Sequence, residues 1–322
     1  MTLYNAFNVN DIYKIIKTEY ITKQYQNKKY NICQISSNDA RLELLRKILH
    51  KQSSILDFSF VANYYDSCKY CYLIQNNNDC YFIIQEHKLR ERERLQIFNA
   101  IHRISILKKL YNIQKPMNFY LVMYPKKRFM PRNNELFKAI HINGGFTYLN
   151  QNKVFVIRKE EFNKVLIHEF LHHNNVLQFE RWSIQSIEKL KERFNIMKSF
   201  DLLPTEAIIE AYACLINAVF YAIEDKKKFM HLLKEDQMHS LKTAKKIIKF
   251  QKNKPWYEYT NVYCYTILKT IIYLNFNKFL KIFPNCSDID IANFFIKYSN
   301  NMYKQIHDIK VKSNKLNLTI FN

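Results

Sequence analysis

One five-residue stretch has the residue types and spacing to bind a metal ion: His168-Glu169-Phe170-Leu171-His172. In a helix of 3.6 residues per turn, side chains four residues apart lie about 40° from each other, so both imidazoles could reach one divalent ion. The Glu169 carboxylate would then face a water molecule activated by that ion. The alternative is a helix with two ordinary histidines, each satisfied by a hydrogen bond.

The residues around this HExxH motif favour a strand followed by a helix. Residues 154–157 are a short β-branched and aromatic run, which is typical of a strand. Glu160 and Glu161 suit the first turn of the next helix, where the helix dipole favours negative charge. Apolar residues then recur at helical spacing: Phe162, Val165, Leu166, Phe170 and Leu171. Asn174-Asn175 is a suitable end, so we expect a half-buried helix that presents both histidines.

A catalytic metal site needs a third protein ligand, and an apolar helix further along the chain offers two carboxylates. Asp201 could cap its start and Pro204 fits only a first turn, so the helix begins close to them. Glu206 and Glu210 follow in a run that stays apolar to about residue 223. Burying an unpaired carboxylate is costly. We therefore expect Glu206 to bind the metal and Glu210 to hold a ligand histidine, unless both simply face solvent.

HExxH followed by a second helix with two glutamates four residues apart resembles the gluzincin metallopeptidases. The resemblance implies that His168 and His172 are zinc ligands and that Glu169 is the general base. It also implies that Glu206 is the third zinc ligand. Glu210 stands where the family often has an aspartate that orients the first histidine.

A narrower resemblance covers about 30 residues, 143–172, with a second island at 206–212. These segments are similar to metallopeptidases encoded by large DNA viruses. The 33 residues between the motif and Glu206 exceed the gap of thermolysin-like members and have room for a helix over 183–198. The resemblance implies an α+β, zincin-like fold, one zinc ion per chain and a peptide or protein substrate.

The element pattern predicts three parts. A helical lead-in covers 1–54, a lobe of small mixed sheet and helices covers 55–175 and ends in the HExxH helix, and a helical lobe that supplies the third ligand covers 176–322. The chemistry would lie in the cleft between the lobes. Predicted strands are 55–64, 70–75, 81–85, 118–124 and 154–157. Predicted helices, besides the HExxH helix, are 10–20, 41–50, 88–112, 183–198, 204–224, 226–250, 257–283 and 288–307.

The chain has only two glycines, Gly144 and Gly145, so its turns must use Asn, Asp and Pro. After them, residues 146–149, a turn at 150–153 and the strand 154–157 form a predicted hairpin. In zincin-like enzymes an edge strand beside the cleft binds the peptide by backbone pairing. We expect Gly144, Gly145 and Phe146 to shape such a substrate-binding strand; the alternative is an ordinary loop turn.

Composition indicates a globular protein with a large positive charge. The 322 residues are 48% hydrophobic, with 23 Tyr and 24 Phe, which excludes a disordered chain. A net charge of +22 would suit an acidic partner such as nucleic acid. However, the lysines are spread out, and the densest run, 242–254, alternates with apolar residues as on a solvated helix face. Nucleic acid is therefore an open but not a favoured partner.

Cysteine usage and apolar patterning bear on location. We see no signal peptide in residues 1–20 and no uncharged apolar run long enough to span a membrane. Seven cysteines, an odd number, favour a reducing intracellular compartment, cytoplasmic or nuclear. Cys68-x-x-Cys71 with Cys33 and Cys80 could form a second, structural zinc site, although free thiols are favoured.

The expected reaction is hydrolysis of peptide bonds by metal-activated water, with Glu169 as general base. A donor from the helical lobe should stabilise the oxyanion, and we favour Tyr265. The other candidates are Tyr212, Tyr263, His231 and His239. His173 points about 100° away from His172, so we do not expect it to be a ligand. The alternatives are a silent zincin-fold binding or structural protein, a nucleic-acid-associated protein and a hydrolase of non-peptide amides.

Overall fold

The structure, a computed structural model, describes residues 3, 6–22, 30–132, 135–148, 151–177, 182–283, 285–311 and 313–321, without the side chains of 53–56. The fold is α+β, as predicted. Two compact units are described separately below. The sheet unit comprises Thr18–Arg128 and Lys138–Val176, and the helical unit comprises Met1–Lys17, Phe129–Phe137 and Leu177–Phe321. Helix α1 (Val9–Thr22) has residues in both.

Within the described residues, the sheet unit contains one sheet of six strands. They are β1 (Ile32–Ile35), β2 (Tyr70–Asn76), β3 (Asp79–Gln85), β4 (Asn118–Val122), β5 (Gly145–Thr147) and β6 (Lys153–Val156). Their order is β1-β2-β3-β4-β6-β5. β3, β4 and β6 run parallel, whereas β5 pairs antiparallel with β6 at one edge and places Phe146 opposite Phe155. The predicted hairpin is confirmed, and residues 149–150 of its turn lie outside the described residues.

The helices of the sheet unit correct one prediction. They are α2 (Ala40–Leu56), α3 (Ser59–Ser67), α4 (Glu91–Leu110), α5 (Ala139–Ile142) and α6 (Phe162–His173). The predicted strand over 55–64 is wrong, because this segment contains the end of α2 and most of α3. Phe58, Val61 and Ala62 are all buried, a spacing of three and four residues that is helical and not alternating. Asp57, in the left-handed conformation, separates the two helices. Strand β1 and the short helix α5 were not predicted.

The helical unit follows the predicted order, and most of its elements are shorter than predicted. They are α7 (Ile184–Phe194), α8 (Thr205–Glu224), α9 (Phe229–Gln251), a π-helical turn (Cys264–Leu268), α10 (Lys269–Leu274), α11 (Phe276–Leu280) and α12 (Asp288–His307). Ser183 caps α7, the helix predicted for the long gap, by accepting a hydrogen bond from the Ser186 N–H. The predicted single helix over 257–283 is wrong: it starts later, contains the π-helical turn and is interrupted at Asn275, which has ψ of 28°.

Helix α8 is the one described helix that is long and apolar enough to cross a membrane, and 83% of its most apolar stretch is buried. Burial within the protein accounts for this apolar sequence. Pro204, and not Asp201, occupies the N-cap of α8. The predicted start of this helix is therefore confirmed to within a few residues.

Asparagine and aspartate make many of the turns, as the shortage of glycine predicts. Nine described residues other than glycine have positive φ: Asp57, Asn77, Asn112, Glu161, Asn175, Asn195, Lys226, Lys252 and Asn253. Five of the nine are asparagine, the residue with a side chain that best tolerates the left-handed region.

A buried carboxylate, that of Glu258, lies shortly before the helical segment that carries Tyr265. Glu258 is only 2% exposed. It accepts hydrogen bonds from the Trp256 and Thr260 side chains and from the backbone N–H groups of Val262 and Tyr263, at 2.5–2.9 Å. These bonds lower the pKa of Glu258, but burial outweighs them and raises it to about 7.

This pKa predicts a pH-dependent contribution to stability. The usual value is 4.5, so protonation of Glu258 favours the folded state: the contribution is fully present below about pH 4.5 and is lost as the pH rises through about 7. We expect the free energy of unfolding of the wild type, relative to Glu258→Gln, to fall by about 3 kcal/mol between pH 5 and 8. Urea unfolding of both proteins at each pH measures this, and a difference that stays constant would contradict it.

Candidate metal centre

Three predicted ligand residues come together. His168, His172 and Glu206 each offer one ligand atom, and these atoms all lie within 4.8 Å of one another. The two imidazole rings have their centroids 4.9 Å apart. In a tetrahedral site with ligand atoms about 2.1 Å from the ion, two ligand atoms are about 3.4 Å apart, so the group would close by at most about 1.4 Å to bind an ion. Two imidazole nitrogens and one carboxylate oxygen could therefore hold a metal ion.

Helix α6 positions the two histidines by packing against β5 and β6. The five residues predicted for its buried face are buried, but the rest of the helix except His172 is buried as well, so the prediction of a half-buried helix is wrong. His168 and Glu169 are buried as well, whereas His172 is half-buried. Asn174 caps the helix and Asn175 is left-handed, which confirms the predicted end.

The start of α6 differs from the prediction. Glu160 and Glu161 precede the helix instead of forming its first turn, and both bind the buried Arg128. The Arg128 Nη1 lies 2.8 Å from Glu161 Oε2, and its backbone N–H donates to Glu160 Oε2 at 2.7 Å. A buried guanidinium therefore compensates both acids, a role that the helix dipole was predicted to have. The burial of Arg128 was not predicted.

The two glycines lie where side chains would collide with α6 and its surroundings. Neither has a positive φ, so a left-handed turn is not the reason for them. A Cβ atom on Gly144 would clash with Arg128 Nη2 and lie 2.7 Å from Val165 Cγ2. A Cβ atom on Gly145 would lie 2.6 Å from the Phe155 carbonyl oxygen and 2.8 Å from Glu169 Cγ. Close packing between β5, β6 and α6 therefore requires glycine at both positions.

Two further polar residues lie near the predicted ligands in sequence. The ring of His173 is buried, and its Nδ1 is 3.2 Å from Thr147 Oγ1 on β5. Burial lowers the pKa of His173 to about 4, so the ring is neutral. His173 is not in the three-ligand group. Glu210 is 1% exposed, and the Cys214 thiol lies 3.7 Å from its Oε1. The role of Glu210 in holding a ligand histidine stays a prediction.

The candidate oxyanion donors have different surroundings. Tyr265 is half-buried in the π-helical turn, and its catalytic role stays a prediction. The other four candidates, whose roles also stay predictions, make contacts of their own. Tyr212 packs edge-on against Phe276, the Tyr263 hydroxyl donates to the Phe194 carbonyl, His231 lies beside Glu235, and His239 Nε2 contacts the Asn317 carbonyl.

The four cysteines considered for a second metal site do not form a group of three potential ligands in the part of the chain that the structure describes. Cys33, Cys71 and Cys80 lie on β1, β2 and β3, and all are free. The Cys68 thiol donates to the Tyr64 carbonyl oxygen. Burial raises the pKa of this thiol to about 12, whereas a thiol must lose its proton to bind a metal.

Adding a single methyl group at Gly145 tests the packing of β5 against α6. Gly145→Ala should lower the free energy of unfolding by about 1–3 kcal/mol, because the new Cβ must displace the Phe155 carbonyl or the Glu169 side chain. Urea unfolding measures this. Asn143→Ala, which adds no atoms two residues earlier, is the control. A Gly145→Ala variant as stable as the wild type would show that the close contact is not real.

Metal analysis tests the three-ligand group. After loading with zinc and dialysis, the wild type and Glu169→Gln should retain one ion per chain. His168→Ala and Glu206→Ala should bind zinc at least about 100-fold more weakly, since each removes a ligand. Mass spectrometry of the metal content measures this, with His231→Ala, at an exposed histidine, as the control. Full retention by Glu206→Ala would remove that residue from the site.

Comparison with protein-family models, with curated proteins and with solved structures finds no match to this chain. The resemblance to gluzincins and to metallopeptidases of large DNA viruses therefore stays a prediction. Function must be argued from the chemistry of His168, Glu169, His172 and Glu206.

Proposed function

We propose that this protein is a zinc-dependent metallopeptidase with a zincin-like fold. The observation that carries the proposal is the convergence of the His168, His172 and Glu206 ligand atoms within 4.8 Å, with Glu169 directly after the first ligand. Three protein ligands of this kind leave one coordination position open, as catalytic zinc sites do and structural zinc sites do not. The arrangement of β5 at a sheet edge with α6 packed on it supports the proposed fold.

The donor set supports zinc as the metal. Imidazole nitrogen and carboxylate oxygen suit zinc, and three protein ligands fit its tetrahedral preference. A zinc ion held here would supply a water molecule with a pKa near 7 and a Lewis acid for the carbonyl of the substrate. The one-ion stoichiometry follows from this single three-ligand group among the described residues.

Glu169 is the proposed general base. Its side chain is buried and lies against the start of β5, where a Cβ atom on Gly145 would be 2.9 Å from Glu169 Oε1. The carboxylate takes a proton from the attacking water and passes it to the leaving amine. Packing against Gly145 restricts the side chain, so its position is fixed before substrate binds.

The edge position of β5 supports an extended peptide as the substrate. β5 pairs with β6 along one side, and a peptide could add as a further strand along the other. The Phe146 ring stacks on Phe155 with centroids 4.5 Å apart, so this side chain packs against its neighbour in the sheet. The proposed contacts of Gly144, Gly145 and Phe146 with substrate are therefore made by the backbone. Tyr265 is the proposed donor to the oxyanion, and Glu210 is proposed to orient a ligand histidine.

Digestion of a proteome-derived peptide library tests this function. Zinc-loaded wild type should cleave peptides, and Glu169→Gln, which keeps its zinc, should be slower by at least about 100-fold because it lacks the general base. Mass spectrometry of the products measures both the rate and the cleavage sites. His307→Ala, at an exposed histidine outside the proposed site, should cleave like the wild type. Bound zinc without cleavage of any peptide, or equal cleavage by Glu169→Gln, would reject the proposal.

A further inference from the structure

The helical unit has a groove that the proposed peptidase chemistry does not use. It consists of two adjoining cavities of about 470 and 440 Å³ that share Phe250 and Lys252 at the end of α9. Both cavities are lined by residues of Phe129–Phe137 and Leu177–Phe321, so the groove lies within one unit. We call it the basic groove, after the cations that line it: Arg132, Lys246, Lys249, Lys252 and Lys254.

The charge of the basic groove is strongly one-sided. Four of its cations line the first cavity, and no Asp or Glu is found among the described residues that line it. The second cavity adds Lys254 and one acid, Glu135. Lys246 is half-buried, and burial lowers the pKa of its ammonium group, since the charge has lost part of its hydration. The ammonium group donates to the Lys315 carbonyl oxygen, and a bound anion would add a partner of opposite charge.

Helix stability alone does not explain these cations. Lysines in a last turn offset the negative end of a helix dipole, which accounts for Lys249 and the C-cap Lys252. It does not account for Arg132, which comes from a separate segment of the chain and faces the same cavity. The basic groove is thus built from two segments that bring charge of one sign together.

The spacing of the cations favours an extended polyanion over a single phosphate group. Lys246 and Lys249 are one three-residue step apart on α9, a rise of about 4.5 Å, and Lys252 follows at its C-cap, so these three cations form a row at the end of the helix, and all of them line the first cavity. Phe250, half-buried, borders both cavities beside this row. A row of cations with an aromatic ring beside it is how proteins bind single-stranded nucleic acid, with phosphates on the cations and bases on the ring.

We propose that the basic groove binds a short stretch of single-stranded nucleic acid through its phosphates. Phosphates are shared by RNA and DNA, so the charges of the groove fit either nucleic acid. The proposal is independent of metal binding and of peptide cleavage, because none of the proposed catalytic residues lines the groove.

Binding of labelled oligonucleotides by the full chain tests the proposal. Fluorescence anisotropy would be measured with oligothymidine and oligouridine of about 20 nucleotides, long enough to cover one such site. Arg132→Gln/Lys249→Gln/Lys252→Gln removes three exposed cations of the groove. This variant should bind at least about tenfold more weakly, and the slope of log affinity against log salt should fall by about 2, since each lost phosphate contact contributes about 0.7.

A matched variant separates the groove from net charge. Lys226→Gln/Lys227→Gln/Lys228→Gln also removes three exposed cations, and Lys226, like Lys252, has positive φ. It should bind like the wild type, and equal thermal midpoints would confirm that both variants are folded. Tighter binding of oligouridine would identify RNA as the ligand, and tighter binding of oligothymidine would identify DNA. Equal losses in the two variants, no salt-dependent binding, or equally tight binding of a poly-glutamate peptide would overturn the proposal.

Discussion

Arg128 lies buried beside Glu160 and Glu161, and its guanidinium joins the start of helix α6 to the segment before β5. Its Nε donates to the Ile142 carbonyl at 2.6 Å, and Gly144 leaves room for its Nη2. Removing one partner of such a buried pair leaves an uncompensated charge, which costs about 3–5 kcal/mol. Arg128 therefore binds both the start of α6 and the segment that leads into the edge strand β5. The positions of both predicted ligand histidines on α6 depend on it.

A divalent cation would fit the electrostatics of the candidate metal centre. Glu169 is buried next to His168, and Glu206 is half-buried within reach of the same ligand atoms. A metal ion bound there would stabilise both carboxylates in their charged form. Helix α6 thus carries the two proposed ligand histidines and the proposed general base, which must stay close to the metal ion without binding it. The Glu169 side chain lies close to Gly145 on β5, whereas the two histidines belong to the three-ligand group.

The sequence predicted the features that depend on local periodicity and spacing. The strand–helix order around HExxH, the end of α6 at Asn174 and Asn175, and the placement of Glu206 all follow from such patterns. Features that depend on distant partners were missed. Arg128 is 33 residues from Glu161, and nothing in its neighbours indicates burial. The segment around Phe58 and Val61 is rich in strand-forming residues. This composition predicted a strand, although the spacing of its apolar residues is helical.

The left-handed residues of this chain have a consequence for its denatured state. Glycine has the greatest backbone freedom, so a chain that ends its helices with Asn175 and Asn195 has less conformational entropy to lose on folding. Each such residue instead carries a strain of roughly 1 kcal/mol in the native state. These effects oppose each other. Replacing either asparagine by glycine would relieve the strain in the native state and raise the conformational entropy of the denatured state. In a chain this poor in glycine, the lower entropy of the unfolded state thus offsets part of the strain at the left-handed residues.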